Sequence, residues 1–245
     1  MDYQKLADEI VVWMYSKLEL AGAKGFVVGL SGGIDSAVSA ALARRAAGED
    51  VLAVWMPCHS MPEDEVFSQM AARTFDLPLL TVDLSPVFDV FLAALPPGSD
   101  MARANLKPRL RMSTLYYLAQ SRSYLVAGTG NRPEIMVGFF TKFGDGGVDL
   151  EPLGELYKHQ VRELARVLGV PQPIIDRAPS PGLWPGQTDE GEMGITYTEI
   201  DAILAAWQSG EEPDLPQDRI SKVEMMVKRS AHKRELPPAF PVRRG

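Results

Sequence analysis

A short polar stretch near the start of the chain has the residue types of a phosphate-binding turn. Ser31-Gly32-Gly33-Ile34-Asp35-Ser36 follows the apolar run 26–30 and precedes an alanine-rich segment. The apolar run is typical of a buried strand in a parallel sheet, and the alanine-rich segment favours helix. Glycines at such a turn let backbone N–H groups converge on an anion, which the helix dipole also attracts. Asp35 adds a hard oxygen ligand suited to a divalent metal beside phosphate.

Two common phosphate-binding patterns do not match this stretch. The Walker pattern needs Gly-Lys followed by Ser or Thr, whereas Gly33 is followed here by Ile34 and Asp35. The three-glycine spacing of dinucleotide-binding turns is also missing. The hexapeptide alone leaves open an ordinary strand–turn–helix corner, in which Gly allows positive φ and Asp or Ser caps the helix.

Alternating strand and helix patterns predict an α/β fold: a doubly wound, Rossmann-like parallel sheet with helices on both faces. Apolar runs at 26–30, 51–56, 79–83 and 124–129 predict four strands, and a short fifth strand is expected near 148–153. Ligands of such sheets lie beyond the carboxyl ends of the strands, where the winding direction changes. The sequence therefore predicts a site near Ser31 and Thr129.

Composition bounds the class of protein. The chain has 245 residues, a net charge of −7, 46% hydrophobic and 23% charged residues. These values favour a single globular domain over 1–245 and argue against a general nucleic-acid binder, which would carry a basic surface. No apolar run has the length of a membrane span. Cys58 is the only cysteine, so no internal disulfide can form, and a reducing cytoplasm is expected.

The second half carries several longer motifs in a fixed order. The first two are Gly128-Thr129-Gly130-Asn131-Arg132-Pro133-Glu134 and Gly138-Phe139-Phe140-Thr141-Lys142-Phe143-Gly144-Asp145-Gly146-Gly147. Leu156-Tyr157-Lys158, Trp184-Pro185-Gly186-Gln187-Thr188-Asp189-Glu190 and His232-Lys233-Arg234 follow. The hexapeptide resembles the pyrophosphate loop of the N-type ATP pyrophosphatases. All the motifs together, over about residues 22–238, resemble the ammonia-dependent NAD synthetases.

The resemblance implies an adenine-nucleotide alpha-hydrolase-like fold with five parallel strands. It also implies a ligase that amidates deamido-NAD (nicotinic acid adenine dinucleotide) to NAD. ATP adenylates the nicotinate carboxylate and releases pyrophosphate; ammonia then displaces AMP. Mg²⁺ is the implied cofactor, ATP is a co-substrate, and the enzyme is a homodimer with deamido-NAD at the subunit boundary. Neither nucleic acid nor a membrane is an expected partner.

Site residues follow from the same resemblance. The residues implied to bind ATP are Gly29, Leu30, Ser31, Gly32, Gly33, Ile34, Asp35, Ser36, Thr129, Lys158 and Ser180. Those implied to bind deamido-NAD are Arg109, Lys142, Asp149, His232 and Lys233. Asp35 and Glu134 are the implied magnesium ligands. Arg111 is an alternative to Arg109, and taken singly each residue also has a structural explanation, such as a solvated helix face for the arginines.

One segment departs from the family pattern. The family usually has Pro-Thr-Ala-Asp-Leu where this chain has Pro179-Ser180-Pro181-Gly182-Leu183. Ser180 keeps the hydroxyl expected to contact ATP, whereas Pro181 and Gly182 alter a loop over 179–194. The Gly and Pro content of that loop suggests a lid beside the site.

Alternatives remain for the nitrogen donor and for the function. Glutamine-using relatives carry a separate amidase domain, for which this sequence has no room, so free ammonia is expected; an amidase acting in trans stays open. Another pyrophosphate-loop ligase, such as a GMP synthetase or a tRNA-modifying enzyme, is one rival function. A nucleotide-binding module without catalysis is the other.

The predicted homodimer has a physical argument as well. The helical stretch 109–121 is apolar around more than one face, so a second copy is expected to cover part of it. The N-terminal helix predicted over 2–20 is the alternative cover within one chain.

Overall fold

Strands alternate with helices through the first half of the chain, and helices make up the second half. This computed structural model describes residues 1–180 and 186–241. The strands are β1 (Gly25–Gly29), β2 (Val51–Trp55), β3 (Leu79–Thr81) and β4 (Tyr124–Ala127). The helices are α1 (Tyr3–Ala21), α2 (Ile34–Ala47), α3 (Pro62–Thr74), α4 (Ser85–Ala93), α5 (Asp100–Ala104), α6 (Leu106–Arg122), α7 (Arg132–Val137), α8 (Lys158–Leu168), α9 (Gln172–Ile175), α10 (Asp189–Met193), α11 (Tyr197–Ser209) and α12 (Gln217–Arg234).

The strands form one parallel sheet in the order β3-β2-β1-β4. β1 pairs with β2 on one side, with Phe26 opposite Val51, and with β4 on the other, with Gly25 opposite Tyr124. The chain moves outward from β1 through β2 to β3 and then returns to the opposite side of β1. This change of winding direction places a crevice at the carboxyl ends of β1 and β4, where such sheets bind ligands.

The sheet has four strands in the described residues rather than the five expected. Near 148–153 only one isolated parallel bridge forms, between Ala127 and Leu150. The chain turns directly afterwards, where Gly154 N donates to Glu151 O at 3.1 Å. Pro152, which has no N–H, could not have continued the ladder in any case.

Both faces of the sheet are covered by helices, as predicted. Side chains alternate along β1, so Phe26 and Val28 pack with α1, α2 and α8, while Val27 packs with α4 and α6. A third apolar cluster lies beyond the sheet edge and joins α7, α11 and α12 around the fully buried Ile200, Ile203 and Val223. This third cluster brings the second half of the chain against the end of β4.

The helical stretch predicted over 109–121 lies within α6, which meets the short helix α5 at Asn105. Leu118 of α6 is buried, and Leu110, Leu115 and Tyr116 pack against the second face of the sheet. Tyr117 is the apolar side chain of this group that stays exposed, at 73%. Other parts of the same chain thus cover most of the apolar surface of 109–121 that a second copy was expected to cover. In residues 1–180 and 186–241 we find no helix with the length and hydropathy required to cross a membrane.

Candidate active site

The stretch Ser31–Ser36 forms a tight loop between β1 and α2. Ser36 Oγ donates to Gly33 O at 2.8 Å and accepts from Ser31 N at 3.2 Å, which closes the loop on itself. Gly32 has φ +84°, and a Cβ there would lie 2.7 Å from Asp64 O, so a side chain is excluded. Gly33 caps α2 without any side-chain hydrogen bond. The first N–H groups of this 14-residue helix are therefore available to an anion.

Asp35, in the first turn of α2, belongs to a group of side chains that we call the carboxylate cluster: Asp35, Glu134, Lys158, Asp189 and Tyr197. Lys158 Nζ lies 2.6 Å from Asp35 Oδ2 and 3.1 Å from Glu134 Oε1. Asn131 Nδ2 donates to Asp35 Oδ1 at 2.9 Å, and its Oδ1 caps α7 by accepting from Glu134 N at 3.1 Å. One asparagine therefore orients both predicted magnesium ligands.

Tyr197 completes the cluster from the start of α11. Its hydroxyl donates towards Asp189 Oδ2 at 2.6 Å and Glu134 Oε1 at 2.8 Å. Lys158 Nζ lies 4.6 Å from the centre of its ring, at a distance typical of a cation–π contact. Elements far apart in the sequence, namely α2, α7, α8, α10 and α11, thus meet at one point.

Burial dominates the electrostatics of the cluster. Desolvation raises the pKa of Glu134 above its ordinary value, although Lys158 opposes the shift. Desolvation likewise raises the pKa of Asp189 to about 6. Desolvation alone would lower the pKa of Lys158, but Asp35 and Glu134 raise it above its ordinary value. Lys158 is therefore a permanent cation among three carboxyl groups.

The charges of the cluster fit a divalent cation. When all three carboxyl groups are ionised, which a bound cation favours, they and the one lysine carry a formal charge of about −2. The side chains of Asp35 and Glu134 are 19% and 15% exposed towards the cleft. Carboxylate oxygens are the ligands that Mg²⁺ prefers. Within residues 1–180 and 186–241, however, no group of three or more His, Cys, Asp or Glu is placed to hold a metal. Two carboxylates suit a magnesium ion that shares its remaining ligands with phosphate and water.

A cleft of about 540 Å³ opens beside the cluster. Most of the predicted ATP-binding residues line it: Gly29, Leu30, Ser31, Gly33, Ile34, Asp35, Ser36, Thr129 and Ser180. Glu134 and Lys233 line it as well. Lys158 does not, because its side chain is only 1% exposed behind Asp35 and Glu134. Pro181 and Gly182, the altered family positions, lie outside the described residues.

Four predicted deamido-NAD residues form what we call the cationic corner: Arg109, Lys142, His232 and Lys233. Arg109 donates to Lys142 O at 3.4 Å, and Lys142 Nζ donates to His232 O and, at 3.5 Å, to Glu235 O. Lys233 Nζ donates to Gly138 O and Phe140 O, both at 2.8 Å. These partners are neutral carbonyls, so the corner keeps its positive charge.

Asp149, the fifth predicted deamido-NAD residue, lies elsewhere. It accepts from Val126 N at 2.8 Å and from Tyr116 Oη at 3.1 Å. It lines a second, more open cavity on the other side of β4, with Trp13 and Glu151. The structure therefore does not bring Asp149 into the cleft.

Arg111 lies in the cleft wall, unlike Arg109. It donates to Met56 O at 3.0 Å and to Ser60 Oγ at 3.4 Å. Burial lowers its pKa, although the carboxylates of Asp145 and Asp64 oppose the shift. Both arginines therefore remain candidates for substrate contact, at different places.

Sequence reasoning missed Asn131, Asp189 and Tyr197. Asn131 and Asp189 belong to the quoted motifs Gly128–Glu134 and Trp184–Glu190, so a signal was available, although no role was attached to them. Tyr197 stands outside every motif, in a helix that reads as amphipathic. Its role depends on a tertiary contact with Glu134, 63 positions away.

A phosphate loop at the crevice of a doubly wound sheet, beside paired carboxylates and a lysine, defines a nucleotide-binding enzyme that handles the phosphates of ATP. A family model described as NAD synthase matches residues 6–237, and the chain belongs to that family. It is 46% identical over 242 residues to the NH3-dependent NAD+ synthetase of Carboxydothermus hydrogenoformans, covering 97% of each chain. The family predicted from the motifs is confirmed.

Solved structures agree with this assignment. An NMN synthetase from Francisella tularensis superimposes with a TM-score of 0.92 at 37% identity, covering 99% of this chain and 100% of that one. An NH3-dependent NAD synthetase from Campylobacter jejuni has a TM-score of 0.86 at 28% identity, covering 98% and 100%. The α/β fold class is thereby confirmed, and the other pyrophosphate-loop ligases are not favoured.

Proposed function

We propose that the cleft carries out ammonia-dependent synthesis of NAD from deamido-NAD and ATP, as a ligase. The observation that carries this function is membership of the NAD synthase family over residues 6–237. The described chemistry supports it, because the phosphate loop, two carboxylates and a buried lysine meet at one end of the cleft. A carboxylate is a poor acyl electrophile, so activation by adenylation must precede attack by ammonia.

In this proposal, the loop 31–36, two hydroxyl groups and Lys158 have separate roles towards ATP. N–H groups of the loop and of the first turn of α2 hold the ATP phosphates and orient the α-phosphate towards the substrate carboxylate. Thr129 and Ser180 offer hydroxyls from the opposite wall. Lys158 supplies positive charge behind Asp35 and Glu134; a direct contact with phosphate requires its ammonium group to share or leave those two partners.

Asp35 and Glu134 would hold the magnesium ion that the family implies. When bound, this ion neutralises phosphate charge and makes pyrophosphate a better leaving group. The chain's own part is to fix both carboxylates, through Asn131 and Lys158, in the wall of the cleft.

The cationic corner and Asp149 are proposed to bind deamido-NAD. The support differs between them: the corner offers unneutralised positive charge to a pyrophosphate group, whereas Asp149 lies in a separate cavity. The homodimer stays a prediction, with less support from α6 than the sequence suggested. A cytoplasmic location is also proposed, where the free, buried Cys58 would remain a thiol.

The function is tested with purified protein, ATP, magnesium, deamido-NAD and either ammonium or ammonia-free glutamine. NAD is measured by reduction with alcohol dehydrogenase. We expect NAD with ammonium and only background with glutamine. Turnover with glutamine alone would overturn the donor assignment, and no turnover with ammonium would overturn the function.

A second candidate product is NMN. It is favoured by the TM-score of 0.92 to the Francisella tularensis NMN synthetase. Nicotinic acid mononucleotide is tested in place of deamido-NAD, and release of AMP, which both reactions produce, is measured to separate the two candidates. The larger kcat/KM identifies the substrate, and equal values would assign the specificity to neither.

A further inference from the structure

Tyr197 places one phenolic hydroxyl between two carboxylates. Its oxygen lies 2.6 Å from Asp189 Oδ2 and 2.8 Å from Glu134 Oε1. The side chain is 1% exposed, so bulk water does not compete for these contacts. A phenol has one proton, and an ionised carboxylate donates none. Tyr197 can therefore donate fully to Glu134 or to Asp189, but not to both at once.

The two carboxylates differ in their other donors. Glu134 Oε1 also accepts from Lys158 Nζ at 3.1 Å, and its Oε2 accepts from Asn131 N at 3.4 Å. Asp189 depends on Tyr197, because its Oδ1 is buried without a hydrogen-bond partner among the residues described. A buried acceptor without a donor is costly. The need for a donor and the shorter distance therefore both direct the phenolic proton to Asp189.

Three helix starts hold this arrangement. Asp189 is the first residue of α10, where its N–H donates to Pro179 O at 3.0 Å. Tyr197 begins α11, and its N–H donates to Glu190 Oε1 at 2.9 Å. Glu134 lies in the first turn of α7. Tyr197 of α11 and Val137 of α7 both belong to the third apolar cluster, which holds α11 against α7.

We propose that Asp189 is a positioning residue that draws the proton of Tyr197 away from Glu134, leaving Glu134 Oε1 available to the magnesium ion. This inference rests on the proposed function, in which Glu134 holds that ion. It adds two residues that act on the metal site through hydrogen bonds, without touching metal or substrate themselves.

Asp189→Asn tests the inference directly. The asparagine amide can donate to the phenolic oxygen, so Tyr197 then donates to Glu134 permanently and competes with the metal. We expect divalent-ion binding to weaken about tenfold, in the range usual for groups behind metal ligands. Mn²⁺ binding is measured by electron paramagnetic resonance with α,β-methylene ATP, which permits no turnover.

The double variant Asp189→Asn with Tyr197→Phe separates positioning from mere structural support. Without a phenolic proton, Glu134 Oε1 keeps only its contact with Lys158 Nζ among the described residues, as when Tyr197 donates to Asp189, so Mn²⁺ binding is expected to recover towards the parent value. A purely structural role predicts the opposite, because the double variant loses more contacts than the single one. Tyr157→Phe is the matched control, since its hydroxyl donates to Gln208 Oε1 at 2.8 Å; Mn²⁺ binding should not change.

Glu134→Gln distinguishes failure of the proposed metal role of Glu134 from failure of the proposed positioning role of Asp189. Unchanged Mn²⁺ binding in that variant would overturn the proposed metal role of Glu134. Weaker binding in Glu134→Gln, combined with a double variant no better than Asp189→Asn, would overturn the inference alone. If Asp189→Asn does not fold, as judged by thermal unfolding, Tyr197→Phe decides: binding at least as tight as in the parent supports the inference, and weaker binding overturns it.

Discussion

The carboxylate cluster at one end of the cleft and the cationic corner, from which Lys233 reaches the cleft lining, achieve their charge balance in different ways. In the carboxylate cluster, Lys158 is 1% exposed and lies within 3.1 Å of two carboxylates. In the cationic corner, Lys142 and Lys233 donate to main-chain carbonyls, which are neutral. The first end is assembled by the chain's own opposite charges. The second end keeps positive charge that only an anionic ligand can neutralise.

This difference shows that the carboxylate cluster, rather than the cationic corner, is preorganised. Charged groups fixed by buried partners lose little freedom when a ligand arrives, so they suit the chemical step. Partly exposed cations that donate to carbonyls suit recognition, where charge matters more than exact geometry. We therefore expect changes in the cluster to lower kcat and changes in the corner to raise KM.

Asp35→Asn should have the largest effect. The amide keeps the size of the side chain and can still accept from Lys158, so the fold should persist. A neutral amide binds magnesium poorly, and we expect kcat/KM for ATP to fall by roughly 100-fold or more. The measurement is steady-state turnover beside circular dichroism. Near-parent rates would remove Asp35 from the metal site and break the comparison.

Lys142→Ala should have a smaller effect of a different kind. Removing one partly exposed cation from the corner should raise KM for the dinucleotide about tenfold and leave kcat within about twofold. Lys222→Ala is the matched control, because Lys222 Nζ also donates to a carbonyl, Gly194 O at 2.8 Å, but belongs to neither the cationic corner nor the carboxylate cluster. A fall in kcat instead of a rise in KM would show that the corner takes part in the chemical step.

Glu151→Gln should change stability with pH and leave turnover unchanged. Burial raises the pKa of Glu151 to about 8, while its Oε2 accepts from Gly130 N at 3.0 Å. The folded state thus holds a proton that the unfolded state releases at about pH 4.5, so this carboxyl lowers stability as pH rises from about 4.5 to about 8.

The Gln variant, which cannot ionise, should melt a few degrees higher than the parent at pH 8.5 and close to it at pH 5. Differential scanning calorimetry at both pH values provides the measurement. Glu211→Gln, at an exposed position, should show no such dependence. An equal difference at both pH values would show that Glu151 acts by packing rather than by charge.

Features that depend on neighbouring residues in the chain could be predicted from the sequence. An apolar strand followed by glycines and an alanine-rich helix predicts a phosphate turn, because backbone geometry there depends on adjacent residues alone. The same alternation predicted a doubly wound sheet, and the order of the later motifs indicated the family. The fifth strand was wrong, since a turn at Gly154 ends the pairing after one bridge.

Which distant side chains pair their charges or share a proton depends on the fold and could not be predicted from the sequence. Nothing near Lys158 in the sequence shows that it lies between Asp35 and Glu134, 123 and 24 positions away. Asp149 reads as a site residue, yet its carboxylate faces Val126 N and Tyr116. Tyr197 looks like a core aromatic until α11 packs against α7. Burial sets the ionisation of such groups, and burial follows from packing across the whole chain rather than from neighbouring residues.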